Sequence, residues 1–351
     1  IREEIVTSLI TNIGMERDLF KETPEHAAML KLEQPILTVN RLARILASKN
    51  PAVQAVRIPI LFKGGSGKEL DAALQSVCKK ASKAVADGKT ILVLSDRGAG
   101  KEKLPLPALL ATSAVHHHLI REGTRTRVGL VVETAEAREV QHFTCLLGYG
   151  AGAINPYLAL ATVRDIASKG SMDPEKAIQN YIKALNKGIL KVMSKIGIST
   201  LHSYRGAQIY ECVGLKQSIV DKYFTGTPTR IEGADMDAIT QDIHKRHGRA
   251  YPSIDIPENL DLDVGGMYQW RRRGERHLIS PMLVATLQRS TKIKDQKGYR
   301  EYAKMVNEQS KKLCTLRGLM EFNFDNREAV PLEEVEPWTE IVKHFKTGAM
   351  S

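Results

Sequence analysis

The sequence predicts an α/β protein of alternating βαβ units with a parallel sheet, arranged as an incomplete or degenerate (β/α) barrel. Three observations carry that expectation. The runs AVRIPILF (55–62), TILVLSD (90–96) and RVGLVVET (127–134) are rich in β-branched and aliphatic residues, and each leads into a stretch with helical spacing. The middle run is apolar throughout, as a strand covered on both faces must be. At 351 residues with 42% hydrophobic content, the chain can bury a large core.

The elements follow in order. The segment GMERDLFKETPEHAAMLKLEQPILTVNRLARIL reads as short helices, with Thr23-Pro24 as one start and Thr38 as the cap of VNRLARIL. Residues 68–88 space their apolar side chains as an amphipathic helix closed by Gly88, and 107–123 as a helix stopped by Gly123. Residues 136–150 are a further helix, and AINPYLAL (153–160) a strand or strand end. A long helix is expected over 173–197, with Asp173 as cap and Pro174 in the first turn, and the start of 198–214 reads as one more strand. KQSIVDKYF is a short helix. The texture then changes: YPSIDIPENLDLDVGG (251–266) is polar and proline-bearing, which puts the domain boundary at 250/251 and a mostly helical linker beyond it.

Composition narrows the function classes. No apolar run approaches the roughly 18 residues of a membrane span, and the first residues lack a signal-peptide layout. The cysteines Cys78, Cys145, Cys212 and Cys314 are far apart with no ligand spacing, so no metal site is expected within the chain. A formal charge of +11 speaks to association rather than fold. Its densest cluster, YQWRRRGERH (268–277), mixes aromatic and basic residues as single-strand binders do, but one cluster is explained equally well as a linker, and no nucleic-acid partner is expected.

Two glycine motifs fail inspection. GGSGK (64–68) puts Phe62 and Glu69 where a phosphate loop needs glycine and a hydroxyl, which leaves a strand-to-helix turn. Gly148, Gly150 and Gly152 follow a helix, whereas a dinucleotide fingerprint opens one. The run of His116, His117 and His118 suggests metal or acid-base chemistry. It falls late in a crossover helix, however, which ends at the amino-terminal edge of the sheet, and consecutive helical side chains point about 100° apart. A structural role is expected for all three.

Parallel α/β proteins place ligands at the carboxyl ends of their strands. That rule selects Asp96, Arg97, Glu133, Asn155, Tyr204, Arg205 and Gln208 as one candidate rim, with Arg97 and Arg205 able to hold an anion or to pair with Asp96 and Glu133. Mutual pairing without a ligand is the competing account of the same residues.

The segments GMERDLFKETPEHAAMLKLEQPILT, LSDRG, AVHHHLIREGTRTRVGLVVETAEAREVQHFTCLLGYGAGAINPYLAL and KVMSKIGISTLHSYRGAQIYECVGL resemble, in order, the large flavin-containing chain of glutamate synthase. YFTGT and YQWRRRGERHLISP resemble the link from that family's central domain to its flavin domain, and TGAMS (347–351) the first strand of a second, FMN-binding barrel. The resemblance implies L-glutamate formation from glutamine-derived ammonia and 2-oxoglutarate, by FMN-dependent reductive amination in an enzyme that also carries an iron–sulfur cluster. It assigns 1–250 to the central domain and 251–351 to the linker and truncated start of the flavin domain. The family's amino-terminal nucleophilic cysteine and its cluster cysteines have no counterpart here, so no catalytic residue is expected and the chain reads as a piece of something longer.

Ala349, Met350 and Ser351 are the FMN contacts the resemblance implies, too few to bind the cofactor alone. The implied partners are the amidotransferase and FMN domains of the parent chain and an electron donor, either ferredoxin or an NAD(P)H-oxidising partner. The implied location is cytoplasmic, or plastidic in a photosynthetic eukaryote. A free-standing α/β module that binds an anion or a protein is the alternative.

Overall fold

The computed structural model describes residues 3–252, 264–312, 315–325 and 328–345. It divides into two compact units, 1–255 and 256–351. In chain order, the first unit contains α1 (Glu3–Val6), β1 (Thr11–Ile13), β2 (Leu30–Leu32), α2 (Val39–Leu46), β3 (Ala55–Pro59), β4 (Leu61–Phe62), α3 (Gly67–Ala86), β5 (Ile91–Ser95), β6 (Leu104–Pro105) and α4 (Ala108–Arg121). It continues with β7 (Gly129–Glu133), α5 (Val140–Gly148), β8 (Ala153–Asn155), α6 (Tyr157–Lys169), α7 (Pro174–Ile196), α8 (Leu201–Tyr204), β9 (Cys212–Leu215), α9 (Gln217–Tyr223), β10 (Thr229–Ala234) and α10 (Met236–Ala250).

The scaffold is a four-stranded parallel sheet in the order β3-β5-β7-β8. Each strand pairs with the next one in sequence, and α3, α4 and α5 form the connections. Right-handed crossovers that always step the same way put their helices on one face, as in half of a barrel. Alternation along the strands therefore sorts the side chains into two cores. Leu92, Leu94, Leu130, Val132 and Ile154 join Leu70, Leu74, Ala111, Val115 and Phe143 of the crossover helices. Ile91, Val93, Val131 and Ala153 face the other way, onto Ile13, Leu37, Leu42 and Ile45.

The antiparallel pair β1-β2 and helix α2 thus close the second face. Chain just before α2 extends the sheet past β8, through a parallel bridge between Ile36 and Ile154. Burial on both faces explains why β5 and β7 are apolar without alternation.

Four readings of the sequence differ from the fold, the first being AINPYLAL, which is extended only to Asn155 and enters α6 at Tyr157. The segment at 14–46 carries β2, which pairs with β1 just ahead of the segment, and a 3-10 turn (Pro24–Ala27) before its single helix, α2, which Thr38 caps through Arg41 N at 3.3 Å. Residues 55–62 form two strands, because the chain breaks away at Ile60, whose N–H donates to Ser95 O. The start of 198–214 is helical rather than extended. Thr200 Oγ1 caps Ser203 N, and Leu201 and Tyr204, three apart, are both buried, which is helical spacing.

The second unit is helical where it is described, with α11 (Pro281–Lys292), α12 (Gln296–Lys312), α13 (Leu316–Leu319) and α14 (Trp338–His344). TGAMS, the expected barrel strand, lies outside the described residues. Among those described, no helix is long and apolar enough to cross a membrane.

Candidate functional site

Ser95, Glu133 and Asn155 end β5, β7 and β8 in register with one another, and pleating points all three to the α2 side of the sheet. Each is at most 1% exposed. A carboxylate so placed is costly unless every lone pair is engaged, and Glu133 meets that condition. Its Oε2 accepts from Ser95 Oγ at 2.6 Å and from Arg57 Nε at 2.8 Å, and its Oε1 accepts from Arg97 Nε at 2.6 Å and from Arg57 Nη2 at 3.4 Å. Both arginines are partly exposed, at 44% and 41%, so their outer faces still reach solvent.

Asp96 turns away from this group. Its Oδ2 accepts from Thr134 Oγ1 at 2.6 Å and Ala135 N at 2.9 Å, yet burial still raises its pKa. Burial, with the Asp96 carboxylate second, likewise raises Tyr157, over whose ring the Arg97 guanidinium lies at 4.1 Å. Asn155 Nδ2 donates to Leu37 O at 2.7 Å, while its Oδ1 is buried without a partner among the described residues.

The structure therefore brings Asp96, Arg97, Glu133 and Asn155 to one edge. It does not bring Tyr204, Arg205 and Gln208 to them, because 201–204 is a short helix outside the main sheet. Tyr204 is buried, with its hydroxyl 2.7 Å from that of Tyr210. Arg205 approaches Gly152, just ahead of β8, and Glu16 at 3.8 Å, which puts it at the amino-terminal edge. Gln208 adopts a positive φ of 54° and packs against Gly226. Ala349, Met350 and Ser351 lie outside the described residues.

Arg57 is the member of the cluster that the strand-end rule missed. It sits two residues before the end of β3, and its signal is parity: counting back in twos from the strand end puts it on the face of Ser95 and Glu133.

The three histidines diverge. His116 Nδ1 accepts from Arg125 Nε at 2.9 Å, and burial, then the Arg125 charge, lowers its pKa to about 3. Burial lowers His117 to about 4. His118 Nε2 lies 2.8 Å from Ser82 Oγ and 3.2 Å from Glu122. Among the described residues, no group of three or more His, Cys, Asp or Glu could hold a metal.

GGSGK is likewise structural. Ser66 caps α3 with Glu69, and Gly67 N donates to Asp237 Oδ1 at 2.7 Å. A Cβ on Gly67 would come within 2.7 Å of Asp237 N, so this glycine serves the close approach of α10.

The family model for the glutamate synthase central domain matches residues 1–216, and that for a conserved region in glutamate synthase matches 277–351. All of this chain aligns with the NADPH glutamate synthase large chain of Bacillus subtilis, 40% identical over 353 residues and 23% of that protein's length. The NADH glutamate synthase of Schizosaccharomyces pombe is 41% identical over 361 residues and the chloroplastic ferredoxin-dependent enzyme of Oryza sativa 36% over 365, again along the whole chain, which spans 17% and 22% of their lengths. Among solved structures, a flavocytochrome b2 mutant with benzoylformate is similar at a TM-score of 0.35 and 14% identity, over 54% of this chain and 43% of that one.

Proposed function

We infer the function from one premise: the chain belongs to the glutamate synthase family. It forms the central scaffold of an enzyme that makes L-glutamate from L-glutamine-derived ammonia and 2-oxoglutarate by FMN-dependent reductive amination. The observation that carries this reading is the match of the central-domain model to 1–216, the part that holds the sheet and its edge cluster. Its partners are the amidotransferase and flavin domains of a longer chain, with ferredoxin or an NAD(P)H-oxidising protein as electron donor, in the cytoplasm or a plastid.

The edge cluster suits a wall better than a reaction centre. Both oxygens of Glu133 are engaged by Ser95 and two guanidinium groups, which hold the carboxylate in place rather than ready it to move a proton. Asn155 Oδ1, a neutral acceptor without a partner among the described residues, is the group to which a passing ammonia can donate a hydrogen bond without becoming ammonium.

Reduced FMN, replenished by the electron donor, would supply the hydride for the reductive amination in the longer enzyme. Among the described residues, no group of cysteines fits an iron–sulfur cluster. Cys78, Cys145 and Cys212 are free thiols in separate elements, and the expected flavin contacts at 349–351 lie outside the described residues.

The test is a chimera in which residues 1–351 replace the matching segment of the Bacillus subtilis large chain. The expected result is a folded, flavin-bearing enzyme that forms glutamate from glutamine. A folded chimera that keeps its flavin but forms no glutamate from glutamine or from free ammonia would overturn the reading.

A further inference from the structure

A cleft of about 380 Å³ opens beside Arg97, between the starts of α2, α6 and α7. Leu160, Val39 and Ile178 give it apolar walls, and Arg97, Tyr157 and Glu175 bring polar groups to it. Arg97 spends Nε on Glu133 and lays its guanidinium over the Tyr157 ring, and its two Nη atoms have no hydrogen-bond acceptor among the described residues. Glu175 spends Oε1 on Arg164 at 2.5 Å, which leaves Oε2 for another donor. Helix α6 follows Pro156 with no side chain to cap it, so its first-turn N–H groups also want an acceptor. Asn155, just before Pro156, is fully buried with Oδ1 unpartnered among the described residues.

Charge decides what fits. Arg97 shares Glu133 with Arg57, Arg164 pairs with Glu175, and the Asp96 carboxylate meets the Tyr157 hydroxyl, so the three cations and three carboxylates around the cleft balance. The cleft nevertheless offers spare donors at one place and a spare carboxylate oxygen at another. A dianion gains little from such a site and a free cation gains little, whereas a molecule with one charge of each sign meets both ends.

We propose that this cleft binds a small zwitterionic α-amino acid. Its carboxylate lies against the free Nη groups of Arg97 and the uncapped start of α6, its ammonium takes Glu175 Oε2, and its side chain rests on Leu160 and Ile178. The volume is at the small end for ligand sites, which suits a molecule of this size. The proposal does not depend on the scaffold reading, and either can fail alone.

The experiment is isothermal titration calorimetry of the 351-residue chain with L-glutamine, with 2-oxoglutarate and inorganic phosphate as controls. Saturable heat with L-glutamine and at least tenfold weaker binding of both anions is expected. Ala161→Trp, on the exposed face of α6 at the cleft, fills the site without touching the Glu133 cluster. It should weaken glutamine binding at least tenfold with an unchanged circular dichroism spectrum. No saturable heat in the millimolar range, equal binding of either anion, or undiminished binding by a folded Ala161→Trp variant each overturns the proposal.

Discussion

The two edges of one sheet treat their charges in opposite ways. At the carboxyl edge, Glu133 is a buried anion held by two arginines that keep one face in solvent. At the amino edge, Arg125 is a buried cation whose three bonded nitrogens go to His116 Nδ1, Val128 O and Gly150 O, with no carboxylate among them. Burial accordingly lowers Arg125 to about 10 and keeps His116 neutral. The first edge is electrically paired and open to a cleft, and the second is closed by packing. Charge by itself marks both edges, and only the solvent-facing sides of Arg57 and Arg97 leave one of them accessible to a ligand.

Breaking the carboxyl edge should cost the most. Glu133→Ala leaves Arg57 and Arg97 crowded at one strand end and Ser95 Oγ without its acceptor. Loss of one member of a buried pair costs about 3–5 kcal/mol, and the partial exposure of both arginines places this case near about 3. Urea unfolding of the variant measures it, and a loss under about 1 kcal/mol would show that solvent replaces the carboxylate freely.

Next comes the amino edge. Gly150 has a φ of 110°, and an added Cβ would press on the His116 ring, so Gly150→Ala combines backbone strain with displacement of a buried side chain. About 2 kcal/mol is expected in the same assay, with the fold retained.

These two edges were unequally legible in the sequence. Strand ends were readable because β5 and β7 are continuous apolar runs that stop abruptly at a polar residue, so Asp96, Arg97, Glu133 and Asn155 followed from a rule about parallel sheets. Arg205 was misplaced because ISTLHSY carries the β-branched residues of a strand, while the capping bond from Thr200 and the packing of Leu201 and Tyr204 decide for a helix. Helix α6 was missed for a related reason: after NPY, the alternation of YLALATV suits a strand as well as a helix, and only its packing on α7 settles it. Arg57 could be read only once the pairing register was known. The placement of the histidines toward the amino edge was legible from the direction of the crossover helix, although no pattern in AVHHHLIREG announces Arg125 as the partner of His116.

The smallest effect concerns how the amino edge responds to acid. His116 stays neutral in the folded chain down to about pH 3, because burial and the neighbouring guanidinium both oppose its charge. In the unfolded chain it takes a proton near its ordinary value of 6.5. Between these values the unfolded state binds more protons, so stability falls as the pH is lowered, by up to about 1.4 kcal/mol per pH unit for one such group. The effect is absent above 6.5, where neither state is charged, and it accumulates on the way down toward 3. His117, lowered to about 4, adds a slope of the same sign, whereas a carboxyl raised by burial, such as Asp96, pulls the other way. The total slope is therefore a poor measure of His116, and a difference between variants is a good one. His116→Gln removes the titrating ring, so unfolding free energies of wild type and variant, measured from pH 6.5 to 5, should converge as the pH falls. Parallel curves would mean that His116 is solvated and charged in the native state, and that the amino edge is not closed.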